Sequence, residues 1–295
     1  MMLADPLITV VIPTHNRPVE TLRAVRSVLG QGETDFSLIV VDDGSTDDTV
    51  QVLGAVNDPR LRVKPRPHLG VSAARNHGVA SSQSEYVTFL DSDDVALEGW
   101  LKAFVTSARS GVDLFSCGVE YLSEGTGAAE MVAPANCGPA FDDVCALFQA
   151  GAYMVRRSTF TSAGGFPEGL RFGENSDLGM RIGALIASDD LMAASIPDPL
   201  VRIHRSDRVY DAEERFDSAT RLLCASYDFI SKDPSLLASH YAITGVAASR
   251  LGHRRQALSN LALAVRHHPT EWRHWGRLAR AAAPRAPRRS RGTDD

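Results

Sequence analysis

Apolar positions along the first hundred residues alternate between two rhythms. Residues 7–12 (LITVVI) form an unbroken β-type apolar run, the pattern of a central parallel strand, and Pro13 stops it. Leu22, Val25, Val28 and Leu29 then recur at helical spacing behind Pro18, a residue suited to a first helical turn. The cycle repeats. Residues 37–41 read as a strand, and Ser45 with Asp48 three positions on reads as a capping-box variant opening a helix to about residue 56. Residues 60–63 read as a short strand, 70–80 as a helix of small residues, 85–90 as a buried strand and 97–108 as a helix. Successive strand–loop–helix units predict a parallel sheet with helices on both faces.

The second half is less regular. Residues 112–121, 151–155 and 200–204 have strand character, 176–186 helical character, and 125–139 read as a loop rich in Gly, Ala and Pro. From residue 213 the pattern turns helical, with Phe216, Leu222, Leu223, Tyr227 and Ile230 in register. Two more helices are predicted across 251–278. There Gly252, Ala257, Ala264 and Pro269 fit one tetratricopeptide-type hairpin, which has to pack on the main domain or on a partner. Residues 284–295 are Arg-rich and aperiodic and predict a disordered tail. The expected organisation is therefore 1–205, 206–283 and 284–295.

Composition narrows the classes. The net charge of -5 argues against a nucleic-acid partner. Residues 1–13 carry no basic residue ahead of their apolar run, and no stretch reaches 18 apolar residues, so a cytoplasmic protein is expected. The C-terminal helices and tail leave room for weak peripheral contact with the inner face of the membrane, or for a protein partner. Cys117, Cys137, Cys145 and Cys224 form no C-x-x-C pair and read as reduced thiols.

Every early strand ends in polar residues: 14–17 (THNR), Asp42-Asp43, His68 near the third, and 91–94 (DSDD). In a parallel sheet these ends share the carboxyl edge, where ligands bind. Three carboxylates within four residues repel one another, so a buried strand ending on them calls for positive charge. A hard Mg²⁺ or Mn²⁺ ion would supply it, and helix capping is the plainer alternative. A second cluster, Glu174 and Asp177, stands before a helix; it could serve the helix dipole or supply a general base. There is no G-x-G-x-x-G or G-x-x-x-x-G-K motif after the first strand.

Five segments in order, VVIPTHNR (10–17), VVDDGSTDDT (40–49), LGVSAARNHGV (69–79), EYVTFLDSDD (85–94) and GGFPEGLRFGENSDL (164–178), resemble the family 2 glycosyltransferases of GT-A fold. The resemblance covers about residues 7–205. It implies an α/β, GT-A-type, Rossmann-like and mostly parallel sheet with helices on both faces, here followed by a C-terminal α-helical extension. It implies metal-dependent, inverting transfer from a nucleotide-diphosphate sugar, a UDP-sugar foremost, to a hydroxyl of a carbohydrate, lipid-linked or small-molecule acceptor. By position, Pro13, Thr14 and Arg17 would line the nucleoside pocket, Asp43 would accept from the base, and Arg75 would face base or diphosphate. Asp91 and Ser92 would complete the donor site, Asp93 would ligate Mn²⁺ or Mg²⁺, and His204 would stand near the diphosphate as a further ligand.

One departure bears on mechanism. Relatives carry Glu-Asp where this chain has Glu174-Asn175, and Asn cannot accept a proton. Either Glu174 or Asp177 takes the role of base, or the chain is a non-catalytic relative. A sugar nucleotidyltransferase is disfavoured, because residues 13–18 contain no Gly. His68 also replaces the Asn common in relatives.

Overall fold

The structure, a computed structural model, describes residues 5–33, 35–138, 141, 144–170, 173–189, 191–205 and 212–283. The basic tail expected over 284–295 lies outside them. The chain divides into two compact units, Met1–Val209 and Tyr210–Asp295.

The first unit opens with β1 (Ile8–Thr14), α1 (Pro18–Leu29), β2 (Phe36–Asp42), α2 (Thr49–Gly54), β3 (Leu61–Pro65), α3 (Val71–Ala80) and β4 (Tyr86–Phe89). It continues through β5 (Val95–Ala96), α4 (Trp100–Arg109), β6 (Leu114–Ser123), β7 (Ala129–Val132), β8 (Ala135–Asn136), β9 (Cys145–Ala146), β10 (Tyr153–Arg156), α5 (Arg157–Ser162), α6 (Glu174–Asp189) and β11 (Ala193–Arg205). The main sheet has the order β3-β2-β1-β4-β10-β6-β11-β5, with β7 beside β6. The left half, β3 to β4, is parallel. β10 enters antiparallel between β4 and β6, and β11 runs parallel to β6. Among the described residues, six of the nine strands therefore point one way, and β5, β7 and β10 point the other.

Strand alternation sends successive side chains to opposite faces. Val10, Ile12, Leu38 and Val40 meet Val25 and Val28 of α1 and Trp100, Leu101 and Phe104 of α4. Val11, Ile39 and Val41 meet Ala74 of α3, Phe160 of α5 and Leu178 and Ile182 of α6. Both faces are covered, which is why these strands are apolar throughout rather than alternating. Gly78 lets α3 approach β1 closely, since a Cβ there would sit 2.3 Å from Val11 Cγ1.

Three expectations change. The Ser45–Asp48 capping box does not form: α2 begins at Thr49, the Asp48 side chain makes no cap bond, and Ser45 Oγ accepts the Asn16 backbone N–H instead (2.9 Å). The loop expected at 125–139 contains β7 and β8. Helix α6 starts at Glu174, two residues earlier than expected, which places Glu174 at its first position.

The second unit is helical, with α7 (Ala212–Ala225), α8 (Tyr227–Ile230), α9 (Pro234–Leu251), α10 (Arg254–His267) and α11 (Trp272–Ala282). Asp233 caps α9 by accepting from Ser235 and Leu236 N–H, and Gly252 ends it in the left-handed region (φ 82°). Helices α9 and α10 pack closely, with Ala257, Leu261 and Ala264 buried.

Candidate active site

The carboxyl ends of β1, β2 and β4 lie side by side, because Thr14 pairs with Asp42 and Val11 with Phe89. The loops that follow are stitched across this edge. Asn16 takes a positive φ of 52° and joins the first loop to the second: its N–H reaches Ser45, and its Oδ1 accepts the Thr46 N–H at 2.8 Å. Gly44, at φ 79°, has no alternative, because a Cβ there would stand 2.9 Å from the His68 nitrogen.

Asp43 is buried at the centre of this stitching. Its carboxylate accepts the Leu69 and Gly70 N–H groups at 3.1 and 2.7 Å, and pairs with Arg66 and with His68 Nδ1 (2.9 Å). The Nδ1 atoms of His15 and His68 each lie 3.0 Å from the Asp43 carbonyl oxygen, so each carries its proton there when it donates. The two imidazole rings are 4.2 Å apart. His15 and His68 thus flank the expected base-binding aspartate. The His-x₂₇-Asp spacing gave no sign of this, since only the pairing of β1 with β2 joins them.

The acidic turn after β4 meets arginines from three elements. Arg17 Nη1 binds Asp93 Oδ2 at 2.6 Å and lies 3.4 Å from Ser92 Oγ. Arg23 of α1 donates to the Asp93 carbonyl (2.6 Å). Arg75 of α3 reaches Asp91 Oδ1 at 2.5 Å and Glu174 Oε1 at 3.0 Å, with its guanidinium against the Phe166 ring. Arg75 is 1% exposed. Burial alone would pull its pKa down, but the charges of Asp91 and Glu174 outweigh that and hold it above its usual value. The positive charge that the DSDD segment calls for is therefore supplied first by protein side chains. Thr14 and Pro13 are buried at the end of β1, with Thr14 Oγ1 bonded to Thr21 (2.6 Å).

Asp94 belongs to the acidic segment that the sequence singles out, but the sequence assigns it no role of its own. It is 2% exposed and accepts the His204 backbone N–H at 2.9 Å, tying the acidic turn to β11. Burial, then the charges of Asp91 and Asp93, push its pKa well above the usual carboxylate range. His204 is thereby held beside the turn. Its Nδ1 is buried with no hydrogen-bond partner among the described residues, and burial followed by the charge of Arg23 lowers its pKa. A neutral imidazole with an unsatisfied nitrogen suits a metal. Asp93 Oδ1 and Asp91 Oδ2 are likewise without donors among the described residues. No three His, Cys, Asp or Glu side chains among those residues converge on one point that could hold a metal ion. The chemistry of the donor set fits a divalent cation; a complete cage would need ligands from elsewhere.

The two residues of the second cluster part company. Glu174 joins Arg75 and also accepts from Asn175 Nδ2 (3.2 Å). Asp177 is 5% exposed and faces away, toward Arg181 four residues on. Its Oδ2 accepts from Arg181 Nε at 2.9 Å, while Arg181 Nη1 also binds the Ala163 carbonyl. The structure therefore brings Thr14, Arg17, Arg75, Asp91, Ser92, Asp93, His204 and Glu174 toward one sheet edge and leaves Asp177 bracing α6.

Comparison with known proteins bears on the domain that carries these residues. Residues 9–140 match the model of glycosyl transferase family 2. A putative colanic acid biosynthesis glycosyl transferase, WcaA, of Escherichia coli is 36% identical over 107 residues, 35% of this chain and 38% of that protein. A Campylobacter jejuni GalNAc(5)-diNAcBac-PP-undecaprenol beta-1,3-glucosyltransferase is 34% identical over 110 residues, 36% of each chain. An uncharacterized glycosyltransferase of Rickettsia felis is 38% identical over 95 residues, and the chain spans 16% of its length. In each case the match is confined to a fraction of the relative. Among solved structures, S. aureus TarS 1-349 in complex with UDP-GlcNAc aligns with a TM-score of 0.65 at 19% identity, covering 88% of this chain and 81% of that one. The shared architecture is of GT-A type. It is over residues 9–140 that the chain is similar to glycosyl transferase family 2.

Proposed function

We propose that the chain transfers a glycosyl group from a nucleoside-diphosphate sugar to an acceptor hydroxyl, with inversion. The observation that carries this is the pairing of Arg17 with Asp93 and of Arg75 with Asp91 and Glu174 at the carboxyl edge of the sheet, from four separate segments. A uridine diphosphate donor is favoured, since one of the similar TarS structures is a complex with UDP-GlcNAc and another a complex with UDP. Thr14, Arg17 and the loop around Asp43 would seat the nucleoside. The carboxylate of Asp43 is already engaged by Leu69 and Gly70 N–H, so a base would use its remaining lone pairs or the adjacent His15–His68 rings.

Asp91, Asp93 and His204 would hold Mn²⁺ or Mg²⁺ together with diphosphate oxygens, which would complete the ligand set. The ion supplies Lewis-acid stabilisation of charge on the leaving diphosphate. Glu174 takes the proton of the attacking hydroxyl as the new glycosidic bond forms and the bond from the anomeric carbon to the diphosphate breaks. Its Oε1 is held by Arg75, which leaves Oε2 for the acceptor.

A second reading has its own support. Asn175 stands where relatives carry the base, and Glu174 is tied to Arg75, so the chain could bind a nucleotide sugar without transferring it. Radiolabelled UDP-sugars, assayed with Mn²⁺ and with EDTA, separate the two. Metal-dependent release of UDP that Glu174→Gln abolishes supports transfer. Binding of UDP and Mn²⁺ by calorimetry, with no release from any donor and rescue by Asn175→Asp, supports the second reading.

A further inference from the structure

Charge is distributed unevenly along the chain. Its net charge is -5, yet residues 250–291 carry eleven arginines and one carboxylate, Glu271. Glu271 is occupied at the start of α11, where its side chain accepts the Arg273 N–H at 3.0 Å. Helix α11 has a sharply divided surface. His274 is buried and Leu278 is half-buried against the rest of the helical unit. On the other side Trp272 and Trp275 are 74% and 53% exposed. Three residues apart, they share one face, with Gly276 and Ala279 behind them. Trp275 Nε1 donates to the Pro269 carbonyl (2.9 Å), which fixes its ring over the α10–α11 turn. Arg273 and Arg280 lie along one side of the indole face and Arg277 farther round the helix, and Arg277 and Arg280 have no ion-pair partner among the described residues. The sequence beyond α11 adds Arg285, Arg288, Arg289 and Arg291.

We propose that α11 docks on an anionic membrane surface, with Trp272 and Trp275 in the headgroup region and the flanking arginines on acidic lipid phosphates. Two exposed indoles are costly in water and well suited to the interface, where the ring is apolar and its N–H can be satisfied. Arginine pairs with phosphate through a planar fork. A protein partner would have to present an acidic, apolar-floored groove; the continued run of arginines past the helix, with no further apolar residue than Ala and Pro, fits a flat charged surface better. The inference concerns the second unit and does not depend on the transfer reaction.

The full chain supplies its own probe. Its three tryptophans are Trp100, Trp272 and Trp275, and Trp100 is 0% exposed, with its Nε1 bonded to Gly151 O at 2.7 Å. A change of indole emission on adding vesicles therefore reports α11. Vesicles of equal parts phosphatidylglycerol and phosphatidylcholine should shift the emission to the blue and sediment the protein, while pure phosphatidylcholine should bind it at least about tenfold less. Trp272→Ala/Trp275→Ala should lower partitioning by about tenfold or more, and Arg280→Gln by about fivefold, both with unchanged circular dichroism. Raising salt to about 0.5 M should weaken binding. No blue shift on anionic vesicles overturns the proposal. So does equal binding by the double Trp variant, or a dimer in vesicle-free buffer that the same variant abolishes, since a second copy would then cover the face.

Discussion

The acidic turn after β4 and the acidic first turn of α6 carry nearly the same sequence signal, carboxylates next to a helix, yet the fold uses them differently. At the β4 turn every carboxylate is met by a group from another element: Asp91 by Arg75 of α3, Asp93 by Arg17 ahead of α1, Asp94 by the backbone of β11. At α6 only Glu174 is drawn across, to Arg75, while Asp177 closes a local i,i+4 pair with Arg181. Carboxylates held by distant elements tie separate segments together at the carboxyl edge of the sheet. A carboxylate satisfied within its own helix, and buried, is structural. Arg75 is the hinge of the comparison, because one buried guanidinium couples the two turns.

The largest expected effect tests whether the coupled carboxylate reacts. Glu174→Gln should lower kcat by about 10²–10⁴-fold with donor affinity retained, measured by UDP release at saturating donor. Full activity in that variant would move the base elsewhere. Next comes the coupling itself. Arg75→Met leaves Asp91 and Glu174 facing each other without their shared cation and should cost about 3–5 kcal/mol of stability in urea unfolding. A loss below about 1 kcal/mol would show that solvent already screens the pair.

Asp177→Asn should remove about 1–2 kcal/mol of stability and leave kcat within about threefold, because it breaks only the brace to Arg181. A dead but stable Asp177→Asn enzyme would reverse the two roles. The smallest effect concerns Asp94, whose raised pKa means that folding favours its protonated form. The stabilisation is therefore complete below the unfolded-state pKa and is lost as pH rises through the folded-state value. Asp94→Asn keeps an acceptor for the His204 N–H without the charge. Measured by Tm in EDTA, it should match the parent near pH 4 and equal or exceed it at pH 7. A parent that gains stability over that range relative to Asp94→Asn would mean that Asp94 is charged in the fold.

Much of this was legible in the chain. The apolar runs at residues 7–12, 37–41 and 85–90 could be buried on both sides only as central strands, and alternation with helical segments left a doubly covered sheet as the solution. The polar ends of those strands marked the edge where Arg17, Asp91 and Asp93 now meet. The short β10 was legible as a strand but not in its direction, because three buried residues, Tyr153, Met154 and Val155, read the same either way.

What the sequence determined by itself was local: which segments are strands or helices, which carry carboxylates, and that those of residues 91–94 call for positive charge or serve as a helix cap. Tertiary structure decided which arginines meet them and which carboxylate of the second cluster joins Arg75. Arg75 and Glu174 are 99 residues apart, and so are paired by chain path rather than by any pattern. Asp177 was lost to Arg181 because an i,i+4 partner on the same helix is reached at small entropic cost. Asp94, one of the three carboxylates of the DSDD segment, gained its own place because β11 brings the His204 N–H to its buried oxygen. Hydrophobic pattern is periodic and therefore readable in one dimension. Charge pairing depends on distances between side chains, which exist only after the chain has folded.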